Sequence, residues 1–196
     1  MSVERVVVLV TGAGRGAGEA AALALGAAGS EVVAIDVNPD GAERTAEAIR
    51  SAGGRAQAVT ADVSNKMSAQ TLLYSLLEGG AQLAALINAA HVAPASPALK
   101  MDEWEWNRTL DVNLKGAFLM SQTVARAMKE TGGGLIVNVQ RPLPVVPHAA
   151  VWAAHAGLAG LTDALAAEWG EWRVRVRLAP AAEAGSLAVT WLAEPW

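Results

Sequence analysis

Short apolar runs alternate along the chain with longer stretches whose apolar positions recur at helical spacing. Arg5 to Val10, Glu31 to Asp36, Ala56 to Ala61, Leu83 to Asn88 and Leu135 to Val139 read as strands. Between them, helices are predicted over Gly16–Ala28, Pro39–Ala52, Ser68–Leu77 and, as one long element, Met101–Thr131. Glycines close several of these helices, at Gly29, at Gly53-Gly54 and at Gly132-Gly133-Gly134. A further helix over Ala149–Trp169 leads to a sixth strand, Arg173 to Leu178, and the tail Leu187 to Ala193 reads as one strand more. Strands alternating with helices predict an α/β fold: a doubly wound, Rossmann-type parallel sheet of about six or seven strands, helices on both faces. Residues 1–196 hold no internal repeat and no linker, so one domain is expected.

Two elements depart from that pattern. Strands covered on both faces read as continuous apolar runs. The sixth instead alternates Arg173, Val174, Arg175, Val176, Arg177, Leu178, which fits either an edge strand or a sheet lacking part of its cover. The helix Ala149–Trp169 is conversely apolar nearly all round, interrupted by His155, Thr162, Asp163 and Glu168. Such a helix is expected to be covered on more than one side, and in a chain of this size the second cover is another subunit. Pro142, Pro144 and Pro147 predict a stiff loop before it.

The candidate chemistry begins between the first strand and first helix, at Thr11 to Gly18 (TGAGRGAG). Gly12 permits a tight turn, Gly16 lets backbone approach a pyrophosphate, and Gly18 lets helix and strand pack closely. The helix N-terminus then faces the anion. Asp36, at the end of the second strand, suits both hydroxyls of an adenosine ribose and repels a 2′-phosphate, favouring NAD(H) over NADP. Arg15 either pairs with such a phosphate or is solvated on an exposed turn.

Composition narrows the classes. Apolar residues make up 53% of the chain, too many for disorder, and the net charge of −4 argues against nucleic acid. There is no membrane-length apolar run and no basic leader, so a cytoplasmic protein away from membranes is expected. The absence of cysteine excludes thiolate chemistry. His91, His148 and His155 match no metal-ligand spacing, and no metal is expected. Seven tryptophans stand beside one tyrosine and one phenylalanine. Trp104, Trp106, Trp152, Trp169, Trp172, Trp191 and Trp196 either form an aromatic platform or, as expected, fill the core and an interface. Tyr74 is expected in the core.

Over about residues 5 to 180 the chain resembles the short-chain dehydrogenase/reductase family. Thr11, Gly12, Gly16 and Gly18 match its TGxxxGxG loop, Asp36 its acidic residue, and Asp62-Val63 the pair that contacts adenine. Asn88 opens its NNAG signature, Asn113 lies in the DVNLKGAF run, and LIVNV and LAAEWG match later segments. The resemblance implies a bound NAD(P) and hydride exchange between alcohols and carbonyls. It also implies subunit contact through helices 101–131 and 149–169, in a homo-oligomer or with an active relative.

The family's acid–base residues are replaced. Val151 stands at the tyrosine position, His155 at the lysine position, and either Arg141 or Asn138 at the serine position. Of that set Asn113 remains. His91 replaces the glycine of NNAG. After the sixth strand the tail is too short for the family's substrate loop, two helices and last strand, so a degenerate, C-terminally shortened member is expected. The leading expectation is therefore a non-catalytic binding, regulatory or partner subunit. The alternative is an oxidoreductase in which His155 relays the proton, with Asn113, and Arg141 polarises a carbonyl. A third is a scaffold whose nucleotide pocket is closed by His91.

Overall fold

The computed structural model describes residues 5–94, 96–146 and 148–194. Pro147 and Trp196, named above, lie outside the described residues. Strands β1 (Arg5–Thr11), β2 (Glu31–Asp36), β3 (Arg55–Thr60), β4 (Ala81–Asn88), β5 (Gly134–Gln140) and β6 (Val174–Pro180) form one parallel sheet in the order β3-β2-β1-β4-β5-β6. This is the expected doubly wound fold.

The side-chain period of two sorts each strand between the faces. Val7, Leu9, Val33, Ile35, Leu86 and Ile136 pack with α3 (Lys66–Glu78), α5 (Gly116–Glu130) and α6 (Ala149–Trp169). Val8, Val10, Val32, Ala34, Ile87 and Val137 pack with α1 (Gly16–Ala27), α2 (Pro39–Ser51) and α7 (Ala184–Ala193). Asn38 and Asn65 set the starts of α2 and α3, their side chains accepting from backbone N–H groups of the first turn.

Three expectations are corrected. The tail is not a strand: Ala184–Ala193 is helix α7, which lays Ala184 and Ala188 against α1. A side chain at Gly185 would lie 3.0 Å from the Ala21 Cα, so the two helices meet backbone to backbone. The single helix over 101–131 is instead α4 (Glu103–Leu110), a π-helical turn Asp111–Lys115, and α5. Tyr74 is 62% exposed, because Ala69, Leu72, Leu73 and Leu76 supply the buried face of α3. Within the chain α6 is covered on one side: Val151, Ala154, Leu158, Thr162 and Leu165 are buried, while Trp152 is exposed on the other side.

The alternating sixth strand is an edge strand. Val174 and Val176 enter the core, and the Arg175 guanidinium reaches α7, donating to the Trp191 carbonyl at 2.6 Å. Trp169 is buried and stacks on Trp172 with centroids 6.4 Å apart, and the Lys129 ammonium lies 4.1 Å over the Trp172 ring. Trp104 is 73% exposed.

Candidate functional site

From β1 the chain winds outward to β2 and β3, and from β4 outward to β5 and β6. The crevice between the carboxyl ends of β1 and β4 is therefore the switch point where such sheets take ligands. Thr11 and Asn88 are partners in register at its floor.

The glycine turn fits its expected role. Gly12 and Gly16 adopt φ of 64° and 61°. A Cβ on Gly12 would lie 2.6 Å from the Ala90 Cα, and one on Gly18 2.2 Å from the Gly12 carbonyl oxygen. Asp36 ties this turn to α2: its carboxylate accepts from the backbone N–H of Gly14 at 2.8 Å and of Asn38 at 2.9 Å. Both oxygens are thus already engaged, though the residue still faces the crevice.

Thr11 and Asn88 both line the crevice, and each is also bonded within the chain. The buried Thr11 hydroxyl accepts from the backbone N–H of Ala89 and Ala90, closing the end of β1 onto the next loop. The Asn88 amide donates to Ser121 Oγ and to Asn138 Oδ1, both at 2.9 Å, and Asn138 donates to Thr162 Oγ1 at 2.9 Å. This buried network ties β4 and β5 to α5 and α6.

At the adenosine end, Asp62, Val63 and Asp36 line a cavity of about 80 Å³ together with Arg15 and Arg108. Burial disfavours the charged form of Asp62. Hydrogen bonds from Ser64 and the Arg108 guanidinium outweigh it and hold the carboxyl below its usual pKa.

A second cavity, about 30 Å³, holds the positions of the replaced acid–base residues: Asn113, Arg141, Val151 and His155 all line it. Asn113 is inward but engaged, donating to the Val92 carbonyl and accepting from the Val92 N–H, both at 2.8 Å. It pins the chain after β4 rather than standing free as a relay. Gln140 was not singled out in the sequence. Its amide nitrogen lies 3.3 Å from His155 Nδ1. Its place at the carboxyl end of β5 was the available signal, since side chains at strand ends face the crevice in this fold. The Arg141 guanidinium turns back toward the glycine turn: a Cβ on Gly16 would lie 3.3 Å from its terminal nitrogen. His91 is held neutral: burial first, then the neighbouring Arg141 and Arg15 charges, lower its pKa to about 4.

Comparison with known proteins decides the ancestry. Residues 6–185 match the family model described as short chain dehydrogenase.

The chain belongs to the short-chain dehydrogenase family.

It is 38% identical over 173 residues to D-threitol dehydrogenase of Mycolicibacterium smegmatis, covering 87% of this chain and 66% of that protein. It is 33% identical to an NAD-dependent glycerol dehydrogenase of Listeria innocua, covering 87% and 67%. The chain thus spans about two thirds of the length of these curated relatives. Among solved structures, a metagenomic short-chain oxidoreductase in complex with NADP superposes with a TM-score of 0.90 at 28% identity, covering 98% of this chain and 92% of that one. A 3-ketoacyl-ACP reductase from Sinorhizobium meliloti superposes with a TM-score of 0.83 at 32% identity, covering 89% and 71%. As a short-chain dehydrogenase the chain carries a nucleotide-type Rossmann fold. Side chains at positions 12 and 18 would collide with the backbone of Ala90 and Gly12, so glycine is what lets this turn close. Both cavities are smaller than a typical ligand pocket, and Arg141 and His91 line both, so those two side chains divide the crevice. No helix among the described residues is long and apolar enough to cross a membrane.

Proposed function

We propose that the protein is an NAD(P)-dependent oxidoreductase acting on an alcohol or its matching carbonyl, with replaced acid–base residues. The observation that carries this reading is that His155, braced by Gln140, lines one cavity with Val151 beside the glycine turn. The names of the similar proteins, dehydrogenases of D-threitol and glycerol and a 3-ketoacyl-ACP reductase, support an alcohol or carbonyl substrate. When bound, the nicotinamide supplies or accepts the hydride. The chain's own part is the proton. A Gln amide nitrogen only donates, so His155 Nδ1 accepts and the imidazole proton sits on Nε2. The Nε2–H can donate a hydrogen bond to the carbonyl oxygen and to the alkoxide that replaces it, and solvent then supplies the proton. Asp36 at the adenosine end favours NAD(H).

The second reading is a non-catalytic binding or regulatory member of the family. It is favoured by Val151, which is 4% exposed and has no proton to give at the tyrosine position. Titrating NADH while exciting tryptophan, then following reduced-nicotinamide absorbance with polyols and ketones, separates the two. The oxidoreductase reading expects quenching and turnover. Saturable binding with no turnover supports the second, and no binding removes both.

Homo-oligomer formation through α4–α5 and α6 belongs to the same proposal. It is supported by the exposed Trp104 and Trp152 and the apolar outer side of α6. Sedimentation of Trp152→Glu as a smaller species than the wild type is the expected result; unchanged sedimentation contradicts it.

A further inference from the structure

The crevice holds an unbalanced set of charges. Asp62 is paired with Arg108 and bonded by Ser64, and Asp36 accepts from two backbone N–H groups. Arg141 has no such partner. Among the described residues no carboxylate is bonded to it, and its buried Nε has no hydrogen-bond partner. Its charge is disfavoured by burial and then by the Arg15 guanidinium of the glycine turn. A half-buried guanidinium aimed at a helix N-terminus, with another cation beside it, is arranged to receive an anion.

We propose that Arg141 clamps the diphosphate of an adenine nucleotide against the glycine turn, so that the site takes nucleoside diphosphates with or without a nicotinamide riboside. This rests on the nucleotide-binding part of the function proposed above and deepens it. Three observations place the clamp. The Arg141 terminal nitrogen lies 3.3 Å from where a Gly16 Cβ would be, so the guanidinium and the N-terminus of α1 face one space. Arg141 lines both cavities, and therefore sits where a diphosphate joining an adenosine to a second ribose would pass. Arg141 also lines a more open cavity of about 380 Å³ with Gln140, His155 and Pro180, so the guanidinium borders the room left for a second ring as well. At the family's serine position, this residue is thus a binding residue rather than a hydroxyl substitute.

The test is calorimetric titration with adenosine, ADP-ribose and NADH against wild type, Arg141→Gln and Arg141→Lys. The proposal expects wild type to bind both ADP-ribose and NADH, and both more tightly than adenosine. It expects Arg141→Gln to weaken both by about 10- to 100-fold while adenosine is unchanged, with Arg141→Lys intermediate. Unchanged ADP-ribose binding in Arg141→Gln overturns the clamp alone, leaving the nucleotide reading in place. An equal loss for adenosine also overturns it, since that marks a structural role. Absence of all nucleotide binding by wild type removes the clamp and the nucleotide reading together. If Arg141→Gln does not fold, the salt response of the wild type decides: ADP-ribose affinity must fall with added salt and adenosine affinity must not.

Discussion

Gln140 holds His155 by donating its side-chain amide hydrogen to Nδ1 across 3.3 Å, and the same amide nitrogen reaches the His155 carbonyl at 3.4 Å. The end of β5 therefore fixes the first half of α6 and selects one imidazole tautomer. Replacing Gln140 with Leu keeps the bulk and removes the donor. The expected outcome is a mixed His155 tautomer in nitrogen-15 spectra and hydride exchange slowed by about tenfold or more. A single unchanged tautomer would show that Gln140 does not set it.

Glycines provide a paired test of the packing. An alanine at Gly18 would put Cβ 2.2 Å from the Gly12 carbonyl oxygen, a backbone atom that cannot yield cheaply. Gly18→Ala is expected to destabilise by about 2 kcal/mol or more. Gly160, inside α6, has nothing within 4 Å of its would-be Cβ, so Gly160→Ala is expected to stabilise by about 0.5–1 kcal/mol. Urea midpoints of the two variants against wild type check both signs.

The buried amide network makes a separate prediction. Asn138 is fully buried, accepting from Asn88 and donating to Thr162. Asn138→Ala leaves both partners short of a bond and opens a cavity, and is expected to cost about 2–4 kcal/mol. Thermal unfolding checks it, and a loss below 1 kcal/mol would mean that the network is not structural.

His91 gives the pH dependence a sign. Its pKa is lowered to about 4 in the folded protein, against an ordinary value of 6.5. Above pH 6.5 both states hold it neutral and it contributes nothing. As pH falls from 6.5 toward 4 the unfolded chain binds the proton first, so stability is lost over that window. Melting temperatures from pH 7.5 to 5 should therefore fall less in His91→Gln than in wild type. Equal slopes would contradict the buried, neutral imidazole.

Much of this was legible because it rests on local chemistry. The glycine turn and the alternation of strands with helices act within a few residues of themselves, so spacing reveals them. What stayed hidden depends on distant partners. The tail reads as a strand from its apolar residues, yet it becomes α7 because Gly185 gives it close approach to Ala21 on α1. The π-helical turn at Asp111–Lys115 carries no sequence signature of its own; Asn113 projects from it and is held by the Val92 backbone. Tyr74 sits in an apolar segment, but only packing decides which side of α3 faces the sheet. Arg141 was legible as a substituted position. Its turn toward Gly16 was not, since the path of the loop after β5 sets it.

The oxidoreductase reading is tested most directly by transfer of deuterium from 4-deuterated NADH or NADPH to a panel of polyol-derived and small ketones, read by mass spectrometry for wild type and His155→Ala. The expected result is label in the alcohol product with wild type and at least a hundredfold less, as an order of magnitude, with the variant. Cofactor bound to saturation with no label transferred to any ketone, or equal transfer by His155→Ala, would contradict it.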